Sequence, residues 1–179
     1  MQKATQEEYD AFKLRVINAV MKNYKTAECR HYEMTPLVYL KAFNYNHKIA
    51  PIPPELFENQ VCKELAAKTI CDMVKVSESP MMCFVTEGYM AKVHQDKVNL
   101  KNLPRPSQLP EDERNEVVFF CFEAKDLEEY SLAFIKEVES IDEDPGFKIK
   151  LIPDSINKQI DNGRKMGGTF SNFYSKIQS

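Results

Sequence analysis

The chain has 179 residues, of which 43% are apolar and 28% charged, and its net charge is −3. That is ordinary globular composition and argues against a disordered chain; no apolar run approaches the roughly 20 residues a membrane helix needs. Charge is segregated, with 13 acidic and 3 basic residues in 111–144 and 6 basic and 2 acidic in 145–179, but the basic tail is too mild for a strong nucleic-acid footprint.

The length suits one domain with a real core. The first residues, Met1-Gln2-Lys3-Ala4-Thr5-Gln6, have no apolar signal core behind them, so the expectation is a cytoplasmic protein. Five cysteines occur, at 29, 62, 71, 83 and 121, with no CxxC pair. They read as small hydrophobes in a reducing compartment, and no disulfide framework is expected.

In chain order, Thr5-Gln6-Glu7-Glu8 is a capping box. Tyr9, Phe12, Val16, Val20 and Tyr24 follow at helical spacing, predicting a helix over 6–23. Thr35-Pro36 resembles an N-cap with proline at the first helical position, which predicts a short helix over 37–43. Residues 49–54 read as an extended linker. Pro54-Glu55 opens a helix over 54–75 with a wide apolar face. Met81-Met82-Cys83-Phe84-Val85 predicts a buried strand running on to Val93, and residues 117–122 a second one. The long connection over 94–116 contains Pro104, Pro106 and Pro110. A loop of that length is functional or mobile, and it is expected to be the most mobile internal segment and the main contact surface.

After the second strand, Asp126 caps a predicted helix to Ser140, carried by Leu127, Tyr130, Phe134 and Val138. Residues 147–152 alternate and predict a third strand. Residues 154–162 predict a short helix, and Phe170, Phe173, Tyr174 and Ile177 form a stripe that docks the tail. The expected fold is α+β: a single domain with a small antiparallel sheet, made of a β-hairpin and one later strand, packed against several helices. The helix over 126–140 is expected to form a right-handed crossover, leaving the third strand parallel to the second and beyond the first.

No catalytic signature is present. Cys29, His31 and Glu33 would share a side in an extended segment, but three weak ligands without a fourth read as a polar stretch, and no metal site is expected. Cys83 and Cys121 sit in apolar strands, where burial quiets a thiol. Gly163-Arg164-Lys165-Met166-Gly167-Gly168 places Arg164 and Lys165 in a glycine-rich turn that would suit an anion, although it matches no phosphate-binding motif. Pro104, Arg105 and Pro106 form a proline arm. Glu128 and Glu129 head an acidic helix face that would suit a basic partner.

The leading expectation is therefore a non-enzymatic protein, without a cofactor, that binds another protein. An enzyme assembled from scattered polar residues is the alternative, and Glu87, Tyr89, His94 and Glu123, near the strand ends, are its candidates. A stacking platform for nucleic acid made of Phe170, Phe173 and Tyr174 comes third. Finally, Cys83-Phe84-Val85-Thr86-Glu87-Gly88-Tyr89-Met90 and Glu111-Asp112-Glu113-Arg114-Asn115-Glu116-Val117-Val118-Phe119-Phe120, with a proline-containing loop between them, resemble a hairpin of small uncharacterised phage and prophage proteins. The resemblance implies a mobile-element protein and assigns no activity or functional residue.

Overall fold

The structure, a computed structural model, describes residues 3–25, 34–41, 47–91, 105–127, 130–140, 147–153, 158–159, 170 and 173–178. Helix α1 spans Gln6–Lys25. Its capping box forms as read: the Glu8 amide donates to Thr5 Oγ1 at 3.2 Å, and the Thr5 amide donates to Glu8 Oε2 at 3.0 Å. All five residues of its apolar stripe are buried.

The strands are β1 (Leu37–Lys41), β2 (His47–Pro51), β3 (Met81–Ala91), β4 (Arg114–Ala124), β5 (Tyr130–Ser140), β6 (Phe147–Pro153) and β7 (Lys158–Gln159). They form one antiparallel sheet in the order β2-β1-β3-β4-β5-β6, with β7 pairing β5. Helix α2 (Gln60–Val76) and the short C-terminal helix α3 (Phe173–Gln178) complete the fold, which is α+β.

The sheet is a middle layer with a core on each face. On one face, α1 packs over Met81, Cys83, Val85, Val118, Phe120, Phe122, Leu132 and Phe134. On the other, α2 and α3 pack over Val38, Leu40, Met82, Phe84 and Cys121 through Ala66, Ile70, Val74, Phe173 and Tyr174. Strands buried on both faces read as continuous apolar runs, which is why β3 and β4 were legible.

Several expectations are corrected. Residues 37–41 are strand β1, not a helix. The run Leu37-Val38-Tyr39-Leu40 is filled on both faces, and that tertiary packing overrides the cap-like Thr35-Pro36. Residues 130–140 are strand β5, not a helix: Leu132, Phe134 and Lys136 are buried at a period of two, and β4 needs a partner on that side. The crossover therefore does not exist. The chain runs β4-β5-β6 as an antiparallel meander, and residues 147–153 lie on the β4 side of the sheet rather than beyond β3. The predicted helix over 54–75 is a 3-10 turn, Pro54–Phe57, followed by α2, which begins where Asn59 Oδ1 accepts from the Cys62 amide at 2.9 Å. Of the predicted helix over 154–162, the described part is strand β7.

The cysteines behave as buried hydrophobes in part. Cys83 and Cys121 are buried, whereas Cys62 and Cys71 are intermediate. Burial pushes the Cys83 thiol well up, and burial also raises that of Cys71. The reactive thiolate is scarce in both. In the native protein at about pH 8, iodoacetamide is therefore expected to modify Cys62 before Cys71, and Cys83 only on unfolding. Mass spectrometry of the alkylated peptides gives the order, and early labelling of Cys83 would contradict the packing around it.

Candidate functional site

The β1–β3 ladder stops early. Leu37 pairs with Val85, and the residue before it is Pro36, which has no amide proton to extend the pairing. Strand β3 nevertheless runs on through residues 86–91, paired along its other side to β4 as far as Arg114. Among the described residues, no strand pairs with this length of β3 on its β1 side.

A groove of about 920 Å³ wraps this edge. Met34, Thr35 and Pro36 line it before β1, Pro54 and Phe57 line it from the 3-10 turn, and Gln60 and Lys63 from the start of α2. Because successive side chains of a strand point to opposite faces, the two halves of the groove differ chemically.

On the α2 face the wall is aromatic. Phe84 and Phe170 stack with ring centroids 4.9 Å apart, and Phe57 and Phe170 at 5.2 Å. Phe119 also lines the groove. A Cβ at position 88 would come within 3.1 Å of its ring, so glycine at 88 keeps that ring open to the groove.

On the α1 face the wall is polar. Lys136 Nζ lies 3.0 Å from Glu87 Oε1 and 3.8 Å from Glu116 Oε2. Tyr24, from the end of α1, donates its hydroxyl to the same Glu87 oxygen at 2.5 Å. The Lys136 side chain is 2% exposed and that of Glu116 49%. A buried ammonium needs such partners, since an isolated charge there is prohibitive. Tyr89 stands beside them, with the Arg114 guanidinium 4.3 Å from its ring centroid, and Arg114 also donates to the Ser107 carbonyl at 2.6 Å. Residues expected to be loose loop thus belong to the hairpin: β4 starts at Arg114, and short 3-10 turns occupy 106–108 and 111–113.

Of the residues singled out from the sequence, Glu87 and Tyr89 meet at this groove. Glu123 does not join them. It lies on the opposite face, pairing with Met82 at the far end of β4, where its Oε2 accepts from the amides of Phe173 at 2.7 Å and Tyr174 at 3.4 Å. Its role there is to hold the first turn of α3. Arg105 is exposed, and its amide donates to Gln108 Oε1 at 3.3 Å; Pro106 begins the 3-10 turn. His94, Pro104, Glu128, Glu129, Arg164 and Lys165 lie outside the described residues, as do Cys29, His31 and Glu33. The acidic helix face does not exist as a helix, because residues 130–140 are β5. The aromatic platform is also corrected: Phe173 and Tyr174 are buried in the core, and Phe170 stacks on both Phe57 and Phe84.

Sequence reading missed Tyr24, Glu116, Lys136 and Phe170 as parts of one site. The one available signal was Lys136, a lone cation among apolar residues once a period of two is taken. No group of three or more metal-ligating side chains occurs among the described residues, and no helix there is long and apolar enough to cross a membrane. No family model, curated protein or solved structure matches the chain.

Proposed function

We propose that the chain is a non-enzymatic binding protein that holds a segment of another protein in the groove beside β3. The observation that carries this reading is the groove itself. It is at the upper end of the size of ligand pockets, roughly 300–1,000 Å³, and an aromatic wall faces a polar one across a strand edge. Among the described residues no serine, cysteine or histidine lines it, and its hydroxyls are those of Thr35, Thr86 and Tyr89. The resemblance of the hairpin to phage and prophage proteins adds a mobile-element origin to the proposal.

The test is a photo-crosslinking amino acid placed at Gln60, on the groove rim, in the native host. The same label at Val76, at the far end of α2 and 85% exposed, is the control. A defined polypeptide adduct from position 60 that is missing from position 76 and lost in Phe57→Ala is the expected result. Equal adducts from both positions, or none from position 60, would overturn the reading.

The Lys136 cluster favours a second reading, an enzyme using acid–base chemistry. Its test is turnover of chromogenic ester, phosphoester and glycoside substrates by the wild type and not by Lys136→Met. Equal rates in the two proteins would remove it.

A further inference from the structure

Resting on the binding reading, we infer that the groove takes its partner as an added β-strand of five or six residues along positions 86–91 of β3, with apolar side chains on its aromatic side alternating with lysine or arginine on its polar side, towards Glu116.

The backbone argument comes first. A strand edge carries a row of amide and carbonyl groups, and folded proteins guard such edges with lysine, proline, bulges or a covering element. The outer strand β2 is short and guarded in this way by Lys48 and Pro51. The projecting half of β3 reads Thr86-Glu87-Gly88-Tyr89-Met90-Ala91, with neither lysine nor proline; the 3-10 turn at 106–108 packs against β3, Thr86 to Tyr89 line the groove, and no described strand pairs with this length on the groove side. Strand addition to an unpaired edge is an established mode of peptide recognition, in which main-chain hydrogen bonds give affinity and pockets for alternate side chains give specificity.

The side-chain argument is independent. An added strand continues the alternation of the sheet. Every second residue would lie against Phe57, Phe84, Phe119 and Phe170, which favours a large apolar side chain. The intervening residues would lie towards Glu87 and Glu116. Lys136 is close to Glu87 and buried, whereas Glu116 is half exposed and 3.8 Å from that ammonium. Glu116 therefore has carboxylate acceptor capacity available at the groove, and a basic side chain complements it.

The experiment uses the full chain and an acetylated, amidated hexapeptide of alternating phenylalanine and lysine, with binding followed by isothermal calorimetry. Four further peptides complete the set: the block isomer of the same composition, the alternating peptide with glutamate for lysine, and two versions N-methylated at odd or at even residues. The alternating peptide is expected to bind at least roughly tenfold more tightly than the block isomer and the glutamate peptide, a difference well above calorimetric error. One N-methylated version should lose binding and the other keep it, because only alternate amides of an added strand face β3. Glu116→Lys should reverse the preference between lysine and glutamate peptides. No binding of the alternating peptide at about 1 mM, equal binding of the block isomer, or equal binding of both N-methylated versions would overturn strand addition. So would an unchanged charge preference in Glu116→Lys. None of these outcomes depends on the crosslink from position 60, which tests the broader reading separately.

Discussion

Glu123→Ala is expected to undock the C-terminal helix and to lower stability by about 2–4 kcal/mol, since each buried amide left without an acceptor costs about 1–3 kcal/mol. Glu123 is 2% exposed and accepts from the first two amides of α3. A six-residue helix has no stability of its own, so its place depends on this carboxylate and on the burial of Phe173 and Tyr174. The melting temperature should fall by about 10 °C for a chain of this size. Carboxypeptidase should then remove residues beyond Phe170 that it spares in the wild type. Glu123→Gln keeps one acceptor oxygen and should lose less. Undocking would also reach the groove, because Phe170 precedes α3 and forms part of its aromatic wall. The same contact has a pH dependence. The Tyr174 hydroxyl donates to the Ser79 carbonyl at 2.9 Å, and burial first, then the Glu123 charge, pushes its ionisation far up. The docked form therefore holds the proton. Its contribution is complete below the ordinary tyrosine value of about 10 and declines as the pH rises above it. A wild-type melting temperature insensitive to Glu123→Ala would contradict the docking.

Lys136→Met is expected to cost nearly as much and for a different reason. It leaves Glu87 partly buried beside Glu116 without its cation. Breaking a buried pair by removing one partner costs about 3–5 kcal/mol, and the low end applies because the Glu87 side chain is 17% exposed. The second substitution separates charge from packing. Glu87→Gln combined with Lys136→Met should recover much of the loss, because a neutral amide still accepts from the Tyr24 hydroxyl. Urea denaturation of the two single variants and the double variant gives the coupling directly. Additive losses would show that Lys136 and Glu87 do not act as a pair.

How far the sequence carried the fold depends on which faces each element buries. Helix α1 was legible in full, since its cap and all five inward residues stand at fixed spacing with one face to bury. Strands β3 and β4 were legible because apolar residues fill both faces. Strand β5 was not, because Tyr130, Phe134 and Val138 fit a four-residue step as well as a two-residue one. Only the neighbouring edge of β4 decides between them, and local sequence carries no trace of it. Pro36 was read as the start of a helix, whereas its missing amide proton falls where the β1–β3 ladder ends. The site divides similarly. Glu87 and Tyr89 stood out as polar residues at the end of an apolar strand. Lys136 and Phe170 reach the groove, and Tyr24 reaches its Glu87, from three distant parts of the chain, and only the fold brings them together. Glu123 was singled out only as a catalytic candidate near a strand end, whereas it lies within β4 and its carboxylate accepts from the amides of α3.

Amide hydrogen exchange of β3 in the full chain, measured alone and with saturating alternating phenylalanine–lysine peptide, tests binding at this edge most directly. The expected result is slowing by roughly tenfold or more at alternate amides within residues 86–91, with the β1-paired residues 82–85 unchanged, because only the projecting edge gains new partners. Unchanged exchange over 86–91 at saturation would contradict it.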